Sequence, residues 1–373
     1  MLYHKYGDTE VKVSAVGFGG MRFRDQNDVE QCASLVKYAY DSGITYFDTA
    51  PGYGKSEDLF GTAFKEMLKT RKEKPFYVST KSNKAKPDDL RRDLENSLSR
   101  MGLDYIDFFH MWCIITMDQY QERKTNGVLQ ELEKFKQEGL IRHICVSTHL
   151  SGENVETLLK DYPFEGVLLG YSAMNFAYRD EGLDAAANLN RGVVVMNPLG
   201  GGLIPDNPDR FGFVKSREDE TIVEGALRFL FNDPRIDVAL VGFSERDHVD
   251  QACSAAEGFE PIGKDKVDAI RTKLNDSFDH LCTSCGYCDN CPQEIPIPKL
   301  MDVYNHYILT GKREQLLTRL KYHWGIELDD DILRDCIRCG QCEAECTQQL
   351  PICDRLDEIE EIADKELAKA KQK

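Results

Sequence analysis

The sequence predicts an α/β chain: a closed (β/α)8 barrel led by a β-hairpin and followed by a small, mainly helical, cysteine-rich domain. Three observations predict it. Short β-branched or aromatic runs alternate with helical patterns over about 260 residues, the count and length of eight strand–helix units. The 373 residues exceed one small domain and suit a large barrel with an extension. Of the 13 cysteines, only Cys32, Cys113, Cys145 and Cys253 precede position 280, so composition changes sharply there.

In chain order, residues 2–14 read as a hairpin turning at Gly7-Asp8. The strand runs are 15–20, 44–49, 76–80, 105–110, 141–147, 166–170, 192–196 and 237–243. Helical patterns stand between them, among them 28–43, 56–70 and 88–102. The last has Pro87 and Asp88 at its start and Gly102 at its end, residues preferred where helices begin and stop. An open doubly wound sheet is the competing arrangement, and a count of eight units favours closure. The barrel is placed at 1–262, a helical connection at 263–280 and the cysteine-rich domain at 281–373. Its last stretch, LDEIEEIADKELAKAKQK, reads as an exposed charged helix or frayed tail.

Hydrophobic residues are 41% and charged residues 30%, which excludes extensive disorder. Lys plus Arg is 47 against 64 Asp plus Glu, a formal charge of −17. Such a chain is poorly suited to a phosphate backbone, and no nucleic-acid partner is expected. No apolar run has the length of a membrane span, and MLYHKYGDTE lacks a signal-peptide core. A cytoplasmic location is expected, where clustered cysteines are metal or redox ligands rather than disulfides.

In a barrel of this kind, chemistry sits at the C-terminal strand ends and the loops beyond them. The second strand ends in Asp48, with Tyr53 five residues on. The third ends in Thr80-Lys81, the fourth in His110-Met111-Trp112. A phenol with a pKa of about 10 is a poor acid or base at neutral pH. A buried ammonium beside it favours the phenolate, and a carboxylate keeps that ammonium charged and oriented. A histidine can orient a carbonyl. Each residue alone has a structural explanation; their convergence on successive strand tips points to acid–base catalysis.

Gly43-Ile44-Thr45-Tyr46-Phe47-Asp48-Thr49-Ala50 with Tyr53-Gly54, then Ser79-Thr80-Lys81, then Leu103-Asp104-Tyr105-Ile106-Asp107, resembles the aldo/keto reductases. So do Pro198-Leu199-Gly200-Gly201-Gly202 and Val241-Gly242-Phe243-Ser244. The resemblance spans roughly residues 1–260. It implies an NAD(P)H-dependent carbonyl reductase with Tyr53 as proton donor, Lys81 as the partner that lowers its pKa, Asp48 as orienter and His110 as carbonyl-positioning group. One departure stands out. The family's histidine falls five residues after the position of Asp107, where this chain has Trp112. Either a bulge in FFHMW brings His110 to the site, the reading adopted here, or Trp112 replaces the histidine.

The resemblance also places a nicotinamide cofactor, NADP(H) or NAD(H), along Gly20, Met21, Ser147, Asn197, Leu199, Gly242, Ser244 and Arg246. The glycines at 17–20 do not form G-x-G-x-x-G, so no Rossmann fingerprint is present. Ser244-Glu245-Arg246 opens a helix whose N-terminus can hold phosphate, and Arg246 can pair with a 2′-phosphate. The family's Ser-Asn pair and Gln for the carboxamide appear here as Ser147-Thr148 and Leu168, so only Ser147 matches.

Two cysteine motifs follow: Cys282, Cys285, Cys288 and Cys291, then Cys336, Cys339, Cys342 and Cys346. Three thiolates at two-residue gaps embrace one corner of an iron–sulfur cube, and a fourth serves the same or the other cluster. By the ferredoxin rule, Cys346 joins the first three and Cys291 the second three. Cys353 is a spare that could substitute for Cys346. Two C-x2-C pairs also suit zinc, but four close cysteines in each motif exceed what one zinc requires. Two [4Fe–4S] clusters are favoured over one. The segment 276–355 resembles the ferredoxin-like extension of some bacterial and archaeal aldo/keto reductases.

The expected function is therefore an NAD(P)H-dependent oxidoreductase on a small carbonyl or alcohol, with clusters exchanging electrons with a redox protein. The alternative is a nucleotide-sensing or partner-binding protein with structural or redox-sensing clusters and weak catalysis.

Overall fold

Each apolar run expected as a strand forms one stave of a closed barrel. The computed structural model describes residues 1–174, 179–275 and 280–371. The last expected bridge residues, 276–279, and the tail residues 372–373 lie outside them. The chain divides into two units, Met1–Ser277 and Phe278–Lys373, so the helix Lys264–Asn275 groups with the barrel.

Strands β1 (Tyr3–Lys5) and β2 (Lys12–Ser14) pair antiparallel, with Tyr3 opposite Ser14. Then come β3 (Val16–Gly19), β4 (Tyr46–Asp48), β5 (Tyr77–Ser82), β6 (Ile106–Ile114), β7 (Ile141–Thr148), β8 (Gly166–Gly170), β9 (Gly192–Met196) and β10 (Val238–Gly242). These eight close in sequence order, all parallel, with β10 joined to β3. Helical crossovers return the chain to the same end each time, which makes neighbouring staves parallel. The helix Val29–Asp41 is capped by the Asp28 carboxylate, and Pro87–Met101 starts on proline and stops at Gly102, whose φ is +63°.

The hairpin closes the N-terminal end of the barrel. Tyr6 is fully buried against Tyr46, Phe108, Cys145 and Val194. Gly7 is required there: its φ is +51°, and a Cβ would lie 2.3 Å from the Gly192 amide nitrogen. Asp237 ties this plug to the sheet, one Oδ2 accepting from Val193 N at 2.8 Å and Gly7 N at 3.3 Å. Burial pushes its pKa up to about 7, against the downward pull of those two amides. The folded value lies above the unfolded value of about 3.9, so this group favours folding in acid and loses that contribution as pH rises through 7. Because one oxygen takes both bonds, an amide can replace the carboxyl. Asp237→Asn is expected to raise stability by roughly 1–2 kcal/mol at pH 8 and hardly at all at pH 4. Urea unfolding at the two pH values checks this; an equal change at both would contradict it.

The second unit packs the helices Ile297–Thr310 and Ile352–Lys371 around Leu300, Met301, Leu320 and Leu333. The C-terminal stretch is thus not merely an exposed charged helix. Ile352, Leu356, Ile359 and Ala363 recur at helical spacing, and all are buried. The two cysteine motifs share a pattern of left-handed positions, although only the second contains a short helix, Gln341–Ala344. Left-handed residues fall at Ser284, Gly286 and Glu294 in the first and at Arg338, Gly340 and Gln349 in the second. Each lies two, four and three residues after equivalent cysteines (Cys282 or Cys336 for the first two, Cys291 or Cys346 for the third).

Candidate active site and metal centres

Parallel pairing sets Asp48 opposite Ser79, and Lys81 opposite His110. Side chains two apart on a strand face the same way, so Ser79 and Lys81 both reach toward Asp48. Lys81 Nζ donates to Asp48 Oδ1 at 2.6 Å and to the Thr49 carbonyl at 2.7 Å. Ser79 Oγ donates to Asp48 Oδ2 at 2.6 Å. Asp48 and Lys81 are each only 1% exposed. A buried ion pair is costly unless its other polar atoms find partners, and here the Thr49 carbonyl and the Ser79 hydroxyl supply two. Ser79 is a site residue that sequence reasoning missed, although strand alternation with Lys81 carried the signal.

The half-buried Tyr53 ring has its centroid 5.1 Å from Lys81 Nζ. It also meets Trp112 edge-on, at 5.9 Å between centroids and 79° between planes. Gln26 fastens the loop, donating to the Tyr53 carbonyl and accepting from Lys55 N. Lys81, Tyr53 and Trp112 therefore form one contact chain beyond the Asp48 strand end.

His110 lies in regular register on β6, fully buried, and neither ring nitrogen makes a close hydrogen bond. Burial, and then the Lys81 charge, push its pKa down to about 3, against an upward pull from the Val146 backbone. The imidazole is thus neutral at physiological pH. The irregularity in β6 comes later than the sequence reading placed it. Register shifts between Met111 and Ile114, beyond His110, and Trp112 lies within the shifted segment. Arg123 holds that segment by donating to the Trp112 carbonyl at 2.5 Å. The tryptophan is the residue that touches Tyr53, while the histidine stands in the layer of Lys81.

The residues expected along the cofactor are placed as follows. Gly20 packs on the helix Ser56–Met67; a Cβ there would lie 2.3 Å from Ser56 Oγ. Met21 is 45% exposed on the next turn. Ser147 is buried opposite Leu168. Its neighbour Thr148 spends its hydroxyl on the Ile114 carbonyl and the Leu150 amide. Asn197 is left-handed at φ 56°, and its carbonyl accepts from Gly200 N, with Leu199 inside that turn. Gly242 makes room for the Arg22 stem, and Ser244 Oγ donates to the Arg22 carbonyl at 3.1 Å. Arg246 opens the helix Arg246–Ala256, bonds Ser34 Oγ at 2.9 Å and lies 5.0 Å from the Tyr38 ring centroid. That guanidinium is already engaged on the helix Val29–Asp41.

Two further basic groups were not legible in the sequence. His149 follows β7 and is buried, its pKa pushed well down by burial and then by Arg179. Arg179 is also buried, donating to the Gly170 carbonyl at the end of β8. Arginine is normally a surface residue, and nothing in the local pattern marks this one.

In the second unit the thiols line two cavities. Cys282, Cys285, Cys288 and Cys346 line one. Cys291, Cys336, Cys339, Cys342 and Cys353 line the other. The ferredoxin grouping brings together the same sets. Cys353 differs from the sequence reading: it joins Cys291, not Cys346, so it is no substitute for Cys346. Among the described residues, no three His, Cys, Asp or Glu side chains are grouped to hold a single metal ion. Walls of four or five soft thiol donors around a cavity fit an iron–sulfur cube, whose ligands stand further apart than those of one zinc.

A closed parallel barrel with a buried Asp–Lys pair facing a tyrosine at the C-terminal strand ends defines an NAD(P)H-dependent oxidoreductase of the aldo/keto reductase type. Residues 15–275 match the Aldo/keto reductase family model, and the chain belongs to that family. Residues 281–350 match the model of the 4Fe-4S dicluster domain. L-galactose dehydrogenase of Arabidopsis thaliana is 29% identical, over 70% of this chain and 89% of that protein. NADH-specific methylglyoxal reductase of Escherichia coli is 27% identical, over 53% and 67% respectively. An aldo-keto reductase from Bacillus halodurans, in its holo form, shares the fold with TM-score 0.63 and 22% identity, over 73% of this chain and 96% of that one.

Proposed function

We propose that the chain reduces a small aldehyde or ketone, or oxidises the corresponding alcohol, and that its cysteine domain passes electrons to or from a redox partner protein. The observation that carries the first half is the sealed Asp48–Lys81 pair facing Tyr53. Bound NADPH or NADH supplies the hydride, or its oxidised form accepts one. Tyr53 gives its hydroxyl proton to the carbonyl oxygen as that oxygen becomes an alcohol. Lys81, oriented by Asp48 and the Thr49 carbonyl, stabilises the charge left on the phenol. Neutral His110 offers a ring N–H to orient the carbonyl, and Trp112 walls the approach to Tyr53. Gly20, Met21, Ser147, Asn197, Leu199, Gly242, Ser244 and Arg246 are the residues proposed along the nucleotide.

Two [4Fe–4S] clusters are proposed, one on Cys282, Cys285, Cys288 and Cys346, the other on Cys336, Cys339, Cys342 and Cys291. When bound, they supply one-electron transfer. A cytoplasmic setting is proposed with them; among the described residues no helix is long and apolar enough to cross a membrane.

The test is anaerobic. Purified chain is assayed for iron and sulfide, then for NADPH and NADH oxidation against a panel of small aldehydes and ketones. Nucleotide oxidation that depends on an added carbonyl, in protein carrying iron and sulfide, is expected. Failure of every carbonyl with both nucleotides would refute the reductase reading, and absence of iron and sulfide the cluster reading.

A further inference from the structure

The second cysteine cavity holds one more thiol than a cube can use. A [4Fe–4S] cluster takes one thiolate per iron, and five thiols surround this cavity whereas four surround the other. The fifth, Cys353, is 4% exposed and is the second residue of the helix Ile352–Lys371. Three contacts hold it there. Its backbone N–H donates to Glu343 Oε1 at 2.9 Å, which joins it to the segment carrying Cys342. Arg338, from between Cys336 and Cys339, pairs with Asp354 at 2.7 Å and with Asp357 on the same helix. Ile352 and Leu356 on either side are buried in the core. The thiol therefore faces the cavity because its helix is anchored on both sides of it.

The five thiols are not equivalent. Cys336, Cys339 and Cys342 belong to one short segment, the last of them on the helix Gln341–Ala344, and reach the cavity together. Cys291 and Cys353 arrive singly, from separate segments. A competition for the last iron is therefore between these two.

We propose that Cys291 and Cys353 are interchangeable ligands to the fourth iron of the cluster carried by Cys336, Cys339 and Cys342. The proposal rests on the cluster reading above. In the exchange, the iron–sulfur bond to one thiolate breaks as the bond to the other forms. The proton of the incoming thiol ends on the outgoing one, and no electrons move.

The experiment uses the full chain, reconstituted anaerobically with iron and sulfide, and reads iron, sulfide and EPR spectra before and after reduction. Cys291→Ala and Cys353→Ala are each expected to keep the iron and sulfide of the unaltered chain. Cys346→Ala, in the cavity with four thiols, is expected to lose iron by itself, down to about half or to a three-iron cluster seen by EPR before reduction. The double variant Cys291→Ala/Cys353→Ala is expected to lose iron in the same way. Iron loss in either single variant as large as in Cys346→Ala would overturn the proposal, even if the double variant fails to fold. An unaltered chain without iron and sulfide would instead remove the cluster reading, and this proposal with it.

Discussion

Tyr53→Phe is expected to lower carbonyl reduction by about 100-fold or more while leaving nucleotide affinity unchanged. The change removes one oxygen and keeps the ring. The edge-on contact with Trp112 and the position facing Lys81 involve that ring, so the loop should hold its shape. What disappears is the only hydroxyl in the Lys81–Tyr53–Trp112 contact chain able to give a proton. Steady-state kcat/KM for carbonyl-dependent NADPH oxidation, with nucleotide binding followed by fluorescence, checks both halves. Turnover near that of the unaltered chain would show that the proton comes from elsewhere.

Lys81→Met is expected to be as damaging to turnover and, unlike Tyr53→Phe, to destabilise the barrel. Its loss leaves the Asp48 carboxylate buried with Ser79 as its remaining side-chain donor. Stranding one member of a buried pair costs about 3–5 kcal/mol. The two effects separate in the double variant Asp48→Asn/Lys81→Met, which carries no stranded charge. Stability should largely return in that protein, and activity should not. Thermal unfolding and kcat measured on the single and double variants decide it. Recovery of turnover along with stability would make Lys81 a structural residue.

The barrel was legible because its periodicity is local. Each stave is a short apolar run, and the next stave comes only after a helical pattern long enough to cross back. Asp48, Tyr53 and Lys81 were legible for a related reason. Strand-end positions are set by counting along each run, and parallel register then brings neighbouring strand ends together. The histidine was harder. Counting along β6 puts His110 and Trp112 on one face, but the register shift after Met111 separates their environments. Trp112 meets Tyr53, and His110 stays buried in the layer of Lys81. No residue pattern announces where a strand will leave its ladder, because that depends on what packs above it, here Arg123 and the Tyr53 loop.

The sequence by itself determined the fold class and the family. Its spacing also marked out the two cysteine motifs, because three thiols at two-residue gaps lie within reach of one another along a short segment. Only the tertiary structure decided the allegiance of Cys353. In sequence it lies seven residues beyond Cys346, and it looked like a spare for that ligand. In space, the apolar stripe from Ile352 to Ala363 seats its helix, and Arg338 pins that helix beside Cys336 and Cys339, at the cavity that Cys346 does not line. The structure likewise engaged Arg246 with Ser34 and Tyr38 and filled the space over Gly20 with Ser56. All three outcomes have one physical cause. Spacing governs what a segment can reach locally, whereas the partner it meets across space is set by which apolar faces bury against each other.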